Sequence, residues 1–167
     1  MNDFVIRRAR AADLEQIVRV LADSWGSTSV VVHGQVYNAS TLPALLAERD
    51  GELAGLLTYT IVDDGLEIVT LDALTRHGGV GTALLEVVTG IAEEAGLRRV
   101  WLVTTNDNLD ALRFYQRRGL RIVKVDPGAV DVARRHKPSI PAIGDHGIEI
   151  HDELTLELLL PAGSARP

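Results

Sequence analysis

No cysteine occurs among the 167 residues, which removes disulfides, thiolate catalysis and Cys-ligated zinc or iron–sulfur sites from consideration. Stability must come from packing, any nucleophile is not a thiol, and a reducing cytoplasm is the expected compartment. No stretch approaches the roughly 20 consecutive apolar residues of a membrane helix. The run from Met1 to Arg8 carries charge where a signal peptide has its apolar centre, so neither a membrane partner nor export is expected. Positive charge is scarce as well: 17 Lys and Arg stand against 23 Asp and Glu, a net charge of −6. Such a field opposes nucleic acid, which needs clustered Lys and Arg to displace counterions. What is present is ordinary for a globular protein, 46% hydrophobic and 24% charged residues. The length suits one domain over residues 1–160, followed by a frayed end from Pro161 to Pro167.

Val5 to Arg8 reads as a first strand. Asp13 then looks like an N-cap answered by Gln16, and Leu14, Ile17, Val18 and Leu21 recur at i, i+3, i+4 and i+7, the apolar stripe of an amphipathic helix. From Trp25 to Pro43 turn residues mix with the run Val30-Val31-Val32 and no period is sustained, so a loop region with a short strand or helix is expected. The turn signals Asp50-Gly51 and Asp63-Asp64-Gly65 separate apolar runs over 45–48, 53–61 and 66–71 and predict three consecutive antiparallel strands. After Thr75 the period becomes helical: Leu84, Val87, Val88, Ile91 and Ala95 share a face, and Gly96 stands at the C-terminal cap. Arg99 to Thr104 is a strand, Leu109 to Arg117 a helix, and Leu120 to Val125 a strand. A short helix over 129–135, a loop broken by Pro138, Pro141, Gly144 and Gly147, and a strand over 154–158 complete the pattern. A meander followed by alternating strands and helices describes a mixed α/β sheet of about seven strands.

The strongest local signal is Arg76-His77-Gly78-Gly79-Val80-Gly81-Thr82, between a strand and the first turn of a helix. Glycines there let the backbone approach a ligand, and the helix N-terminus favours an anion such as pyrophosphate. A tight turn and nothing more is the plainer reading. A P-loop would have Lys after its last glycine, where Thr82 stands. A dinucleotide fingerprint would have Gly or Ala at Leu84, would open the fold, and would place an acid at the end of the next strand, which instead ends in Thr104-Thr105. What remains is Arg/Gln-x-x-Gly-x-Gly/Ala, met by Arg76, Gly79 and Gly81. A second pattern follows it: Asn108-x-x-Ala111-x-x-Phe114-Tyr115-x-x-x-Gly119-Leu120, with Leu120 where the pattern usually has Phe.

On these two motifs, in this order, the chain over residues 4–125 resembles the GNAT superfamily of acetyl-CoA-dependent N-acetyltransferases, in an uncharacterised bacterial branch. The resemblance implies that the fourth and fifth strands splay to form an acyl-CoA cleft in a sheet flanked by helices. It implies that the backbone of Leu71, Asp72 and Ala73 pairs with the pantetheine arm. Arg76, His77, Gly78, Gly79, Val80, Gly81 and Thr82 would hold the pyrophosphate, His77 through its backbone N–H or its imidazole. Asn108, in the motif that includes Ala111, would meet the pantetheine region, with Asn106 a weaker candidate; Asn108 serves equally as a plain N-cap. Tyr115 would protonate the departing thiolate of CoA, a position that without the motif reads as a core aromatic beside Phe114. Acetyl-CoA is the expected donor, and no metal is implied: the five histidines lack a helical i, i+4 pair with a third ligand.

For the general base the candidate is Glu67, which on a period of two shares a strand face with Val69, Leu71 and Ala73. A carboxylate among apolar neighbours holds its proton more tightly, as a base for an ammonium requires. A solvated strand-end glutamate is the plainer alternative, and Asp72 and Asp152 are further candidates. The expected acceptor is a cationic amine on a small molecule or peptide, bounded by the loop from Trp25 to Tyr37 and the tail around Gly144 to Glu153, with Trp25, His33 and Asp152 as contacts. A homodimer stays open. So do two rival functions, an acyl-CoA-binding sensor that performs no chemistry and a nucleotide-binding module.

Overall fold

The computed structural model describes residues 3–75 and 78–162. Arg76 and His77, and all of the frayed end expected over Pro161 to Pro167 except Pro161 and Ala162, lie outside the described residues. The elements are β1 (Val5–Arg8), α1 (Leu14–Trp25), β2 (Ser29–Val32), β3 (Gln35–Asn38), β4 (Ala44–Arg49), β5 (Glu52–Val62), β6 (Gly65–Ala73), α2 (Val80–Glu94), β7 (Arg99–Thr105), α3 (Leu109–Arg117), β8 (Arg121–Asp126), α4 (Ala129–His136) and β9 (Glu153–Leu159). The expected mixed α/β class with a seven-stranded sheet and flanking helices is the one adopted. Two compact units divide the chain, one built from the residues up to Thr28, Asn38–Val100 and the stretch from Leu159, the other from Ser29–Tyr37 and Trp101–Leu158. No helix among the described residues is long and apolar enough to cross a membrane.

In the first unit the strands are ordered β1-β4-β5-β6, each antiparallel to its neighbour. The long runs of apolar residues in β4 and β5 are explained by two-sided burial: Leu45, Leu46, Leu56 and Leu57 are all at most 1% exposed. Helix α2 packs on β4, β5 and β6 and contributes Val80, Leu84 and Val88 to this core, each such side chain adding about 1.5–3 kcal/mol on burial. Thr58 and Thr70 satisfy one another inside the sheet through hydroxyls 2.6 Å apart. In the second unit β7, β9 and β8 are neighbours in that order, and β2 and β3 form a separate hairpin. Its core gathers Leu102, Leu120, Val130 and Leu156.

Three local expectations change. Asp13 begins α1, yet its carboxylate makes no cap bond; it turns back to the Arg10 N–H at 2.7 Å and to both terminal nitrogens of Arg7 at 2.8 Å. Leu14 and Val18 are exposed, so only Ile17 and Leu21 of the expected stripe are buried. On α2 the buried face runs through Val80, Gly81, Leu84, Leu85, Val88 and Ala92, with Val87 and Ala95 outside it. The first turn of the helix sits against Gly55, where an added Cβ would stand 2.5 Å from Val80 Cγ1 and 3.0 Å from Leu84 Cδ1. The unperiodic stretch from Trp25 resolves into the β2–β3 hairpin, whose turn residues His33 and Gly34 both take positive φ.

Candidate active site

In the first unit the end of β6 and the start of α2 carry the expected cofactor residues. Leu71, Asp72 and Ala73 pair with Leu57, Leu56 and Gly55 of β5. The Trp25 indole N–H donates to both oxygens of Asp72, at 2.9 and 3.2 Å, so two residues far apart in sequence meet. Burial raises the Asp72 carboxyl above the usual carboxylate range, and the bonds from Trp25 and Ser24 offset part of that rise. Glu67 is 2% exposed, deep in β6 opposite Thr60, and is held by interactions within the protein. The structure therefore places the two β6 carboxylates differently, Glu67 enclosed and Asp72 half-buried.

Helix α2 begins at Gly79, whose φ of +72° is the left-handed conformation that favours glycine and which offers no side-chain cap. The first helical bond runs from the Ala83 N–H to the Gly79 carbonyl, and the N–H groups of an opening turn find no acceptor within the helix. The Thr75 hydroxyl oxygen is buried without a hydrogen-bond partner, and a Cβ on Gly78 would come 3.4 Å from it. A segment without side chains, an uncapped helix start and an orphaned hydroxyl fit the diphosphate of acetyl-CoA. Val80 and Gly81 are buried under this turn and Thr82 is half-buried. Arg76 and His77, the remaining members of the loop, lie outside the described residues.

In the second unit Asn108 caps α3, its side-chain oxygen accepting from the Ala111 N–H at 3.2 Å. Asn106 uses its amide otherwise: its oxygen accepts from the His151 and Asp152 N–H groups, and its nitrogen donates to the Glu149 carbonyl. Asn106 thus pins the segment before β9. Tyr115 is 7% exposed, edge-on to Phe114 with ring centroids 5.1 Å apart. Asp152 accepts from the Gly128 N–H at 2.9 Å and so braces the entry to α4. His33 packs against Tyr37 and Trp101, and its backbone N–H donates to Glu153. A pocket of about 290 Å³ lies here, lined by His33, Asp126, His136 and Glu153 with apolar walls from Val31 and Val132.

Sequence reasoning missed two acids of this unit. Glu153 is 6% exposed, and burial raises its carboxyl against the lowering effect of the His33 N–H. Asp107 is 5% exposed and accepts from the Thr105 hydroxyl and the Asp145 N–H; it packs so closely on Gly144 that no Cβ fits there. Glu153 entered only as the end of the tail expected to bound the acceptor, and nothing in the spacing singled out Asp107, though Gly144 was visible as a break in the tail. Among the described residues no group of three or more His, Cys, Asp or Glu could hold a metal ion.

Comparison with known proteins bears on the family and the fold. The family model described as the acetyltransferase (GNAT) family matches residues 13–120. An uncharacterised protein of Bacillus subtilis strain 168, YxbD, is 41% identical over 133 residues, covering 79% of this chain and 84% of its own. An IAA acetyltransferase from Bacillus cereus shares the fold with a TM-score of 0.73 at 20% identity, over 94% of this chain and 99% of its own. A GNAT family acetyltransferase from Elizabethkingia anophelis, solved with acetyl-CoA bound, does so with a TM-score of 0.69 at 20% identity, over 96% and 100%. With the family model spanning both motifs and the fold in agreement, the chain belongs to the GNAT family and is an acetyl-CoA-dependent acetyltransferase.

Proposed function

We propose that the protein is a cytoplasmic N-acetyltransferase that moves the acetyl group of acetyl-CoA directly to a primary amine of a small molecule or peptide, within one domain over residues 1–160. The observation that carries this reading is the start of α2, side-chain-free at Gly78 and Gly79 and faced by the orphaned Thr75 hydroxyl. Residues 76–82 hold the diphosphate, and the backbone of Leu71, Asp72 and Ala73 pairs with the pantetheine arm. Asn108 retains amide N–H groups for that arm while its oxygen caps α3, whereas Asn106, with both ends of its amide engaged, has little left to offer. Bound acetyl-CoA supplies a thioester carbonyl open to attack by an amine.

The chain's own groups then move two protons. A β6 carboxylate takes one from the acceptor's ammonium. Asp72 ranks ahead of Glu67 for this task, because it is only half-buried and its burial already favours the protonated form. Tyr115 gives its phenolic proton to the departing sulfur, and the second proton shed by the nitrogen as it becomes an amide restores the phenol. For the acceptor, Trp25 on Asp72 and the acid-bearing pocket at His33 and Glu153 support a cationic amine, with Asp152 acting through the loop it braces. The test is release of the CoA thiol when acetyl-CoA is mixed with a panel of amines. Turnover with at least one amine is expected; binding without release under every condition would instead make the chain an acyl-CoA sensor.

A further inference from the structure

Strand β4 ends at Arg49, a residue that neither motif contains. Its guanidinium carbon lies 5.6 Å from the centre of the Phe4 ring. A Cβ placed on Gly78 would stand 3.1 Å from Arg49 Nη2 and 3.6 Å from Nη1, so both terminal nitrogens border the bare backbone of the glycine loop. The Nε atom is buried with no hydrogen-bond partner, as is the Thr75 hydroxyl oxygen beside the same glycine. Among the described residues no carboxylate pairs with Arg49. The adjacent Glu48 is occupied by Arg7, at 2.8 Å.

A cation drawn into the protein without a counter-charge is unfavourable until an anion arrives. A guanidinium presents parallel N–H donors that match phosphate oxygens two at a time. These features meet at Gly78, one residue before the uncapped start of α2. We infer that Arg49, delivered by the β4–β5 hairpin, is a further diphosphate-binding residue of the acetyl-CoA site, and that Gly78 lacks a side chain partly to admit its guanidinium. The inference rests on the reading of this loop as the CoA cradle. It adds to that reading a charge from outside the loop, which links the conformation of the hairpin to cofactor affinity.

Calorimetric titration of the apo protein tests it with three probes: CoA, dephospho-CoA, which keeps the diphosphate, and S-acetylpantetheine, which has no phosphate. Arg49→Met is expected to weaken CoA and dephospho-CoA alike by about tenfold or more, the size of one charge-assisted contact, and to leave S-acetylpantetheine unchanged. Arg49→Lys, which keeps the charge and loses the fork, should fall between and decides the matter if the methionine variant does not fold. Equal CoA affinity in variant and wild type overturns the inference alone. Loss of all three probes together assigns Arg49 a packing role and overturns it too, as does loss confined to CoA, which would put the contact at the 3′-phosphate. A wild type that binds no CoA removes the cradle and the inference together.

Discussion

Asp13 shows how much one side chain can organise. It receives both terminal nitrogens of Arg7 and the Arg10 N–H, while Arg7 also reaches Glu48 on β4. The Arg7 guanidinium, helped by the Arg10 N–H, holds the Asp13 carboxyl far below the usual carboxylate range. A carboxyl depressed in the folded state contributes stability that is present above its unfolded value, about 3.9, and is lost as the pH falls through the folded value. Asp13→Asn is therefore expected to cost about 1–2 kcal/mol at pH 7, and urea unfolding should show its difference from wild type shrinking as the pH drops below about 4. Asp72 has the opposite sign. Its raised folded value means that ionisation on going to higher pH removes stability, so Asp72→Asn should be neutral or stabilising at pH 8. The same substitution should abolish the rise of kcat/KM with pH that a base produces. If Glu67→Gln abolishes that limb and Asp72→Asn keeps it, Glu67 is the base. Tyr115→Phe should leave CoA affinity within a few-fold and lower turnover by about 10²-fold, the low end for a general acid; a wild-type rate would remove Tyr115 from the mechanism.

At the scale of elements, α2 joins fold and function through one contact. Its first turn sits against Gly55 of β5, where a Cβ would also come within 3.1 Å of the Asp72 carbonyl. Gly55→Ala is expected to destabilise by about 1–3 kcal/mol through overpacking and, by displacing that turn, to weaken CoA; a variant with wild-type melting temperature and affinity would contradict the packing argument. This contact also shows where the sequence stopped being informative. Helical spacing located α2 and its stop at Gly96, but which of its apolar residues face inward depends on partners distant in the chain, Gly55 of β5 among them. The paired Asp-Gly turns revealed β4, β5 and β6 because a hairpin is local chemistry. The β2–β3 hairpin stayed hidden, since its turn uses His33 at positive φ, a residue with weak turn preference. The same division runs through the candidate residues of each unit. The Asn108 cap and the helix start at Gly79 were legible because caps and helix starts act on neighbours, whereas Trp25 with Asp72, Arg49 beside Gly78 and Asp107 beneath Gly144 are long-range contacts that no local pattern encodes.

Across the whole molecule the charges are sorted. Residues 48–72 hold seven acids and one base, and 145–157 hold five acids with no Lys or Arg, while 113–124 hold five bases and no acid. Folding withdraws several of these acids: Glu67 and Glu153 are buried, and Glu48 is bound to Arg7. On the proposed reading the exposed remainder would steer a cationic acceptor, and steering of that kind weakens with salt. The second-order rate with a polyamine acceptor is expected to fall as ionic strength rises from about 0.05 to about 0.5 M, with little change for a neutral amine; equal salt response would discard the steering. The central claim, that acetyl-CoA binds at the start of α2, is tested most directly by the melting temperature with and without acetyl-CoA, in wild type and Gly81→Val. At a hundredfold excess over Kd the ligand should stabilise the wild type by about 2.7 kcal/mol and raise its melting point clearly, while the folded variant should show no rise. An equal rise in the variant, or a wild type that responds to ADP or NAD as strongly as to acetyl-CoA, would contradict the account.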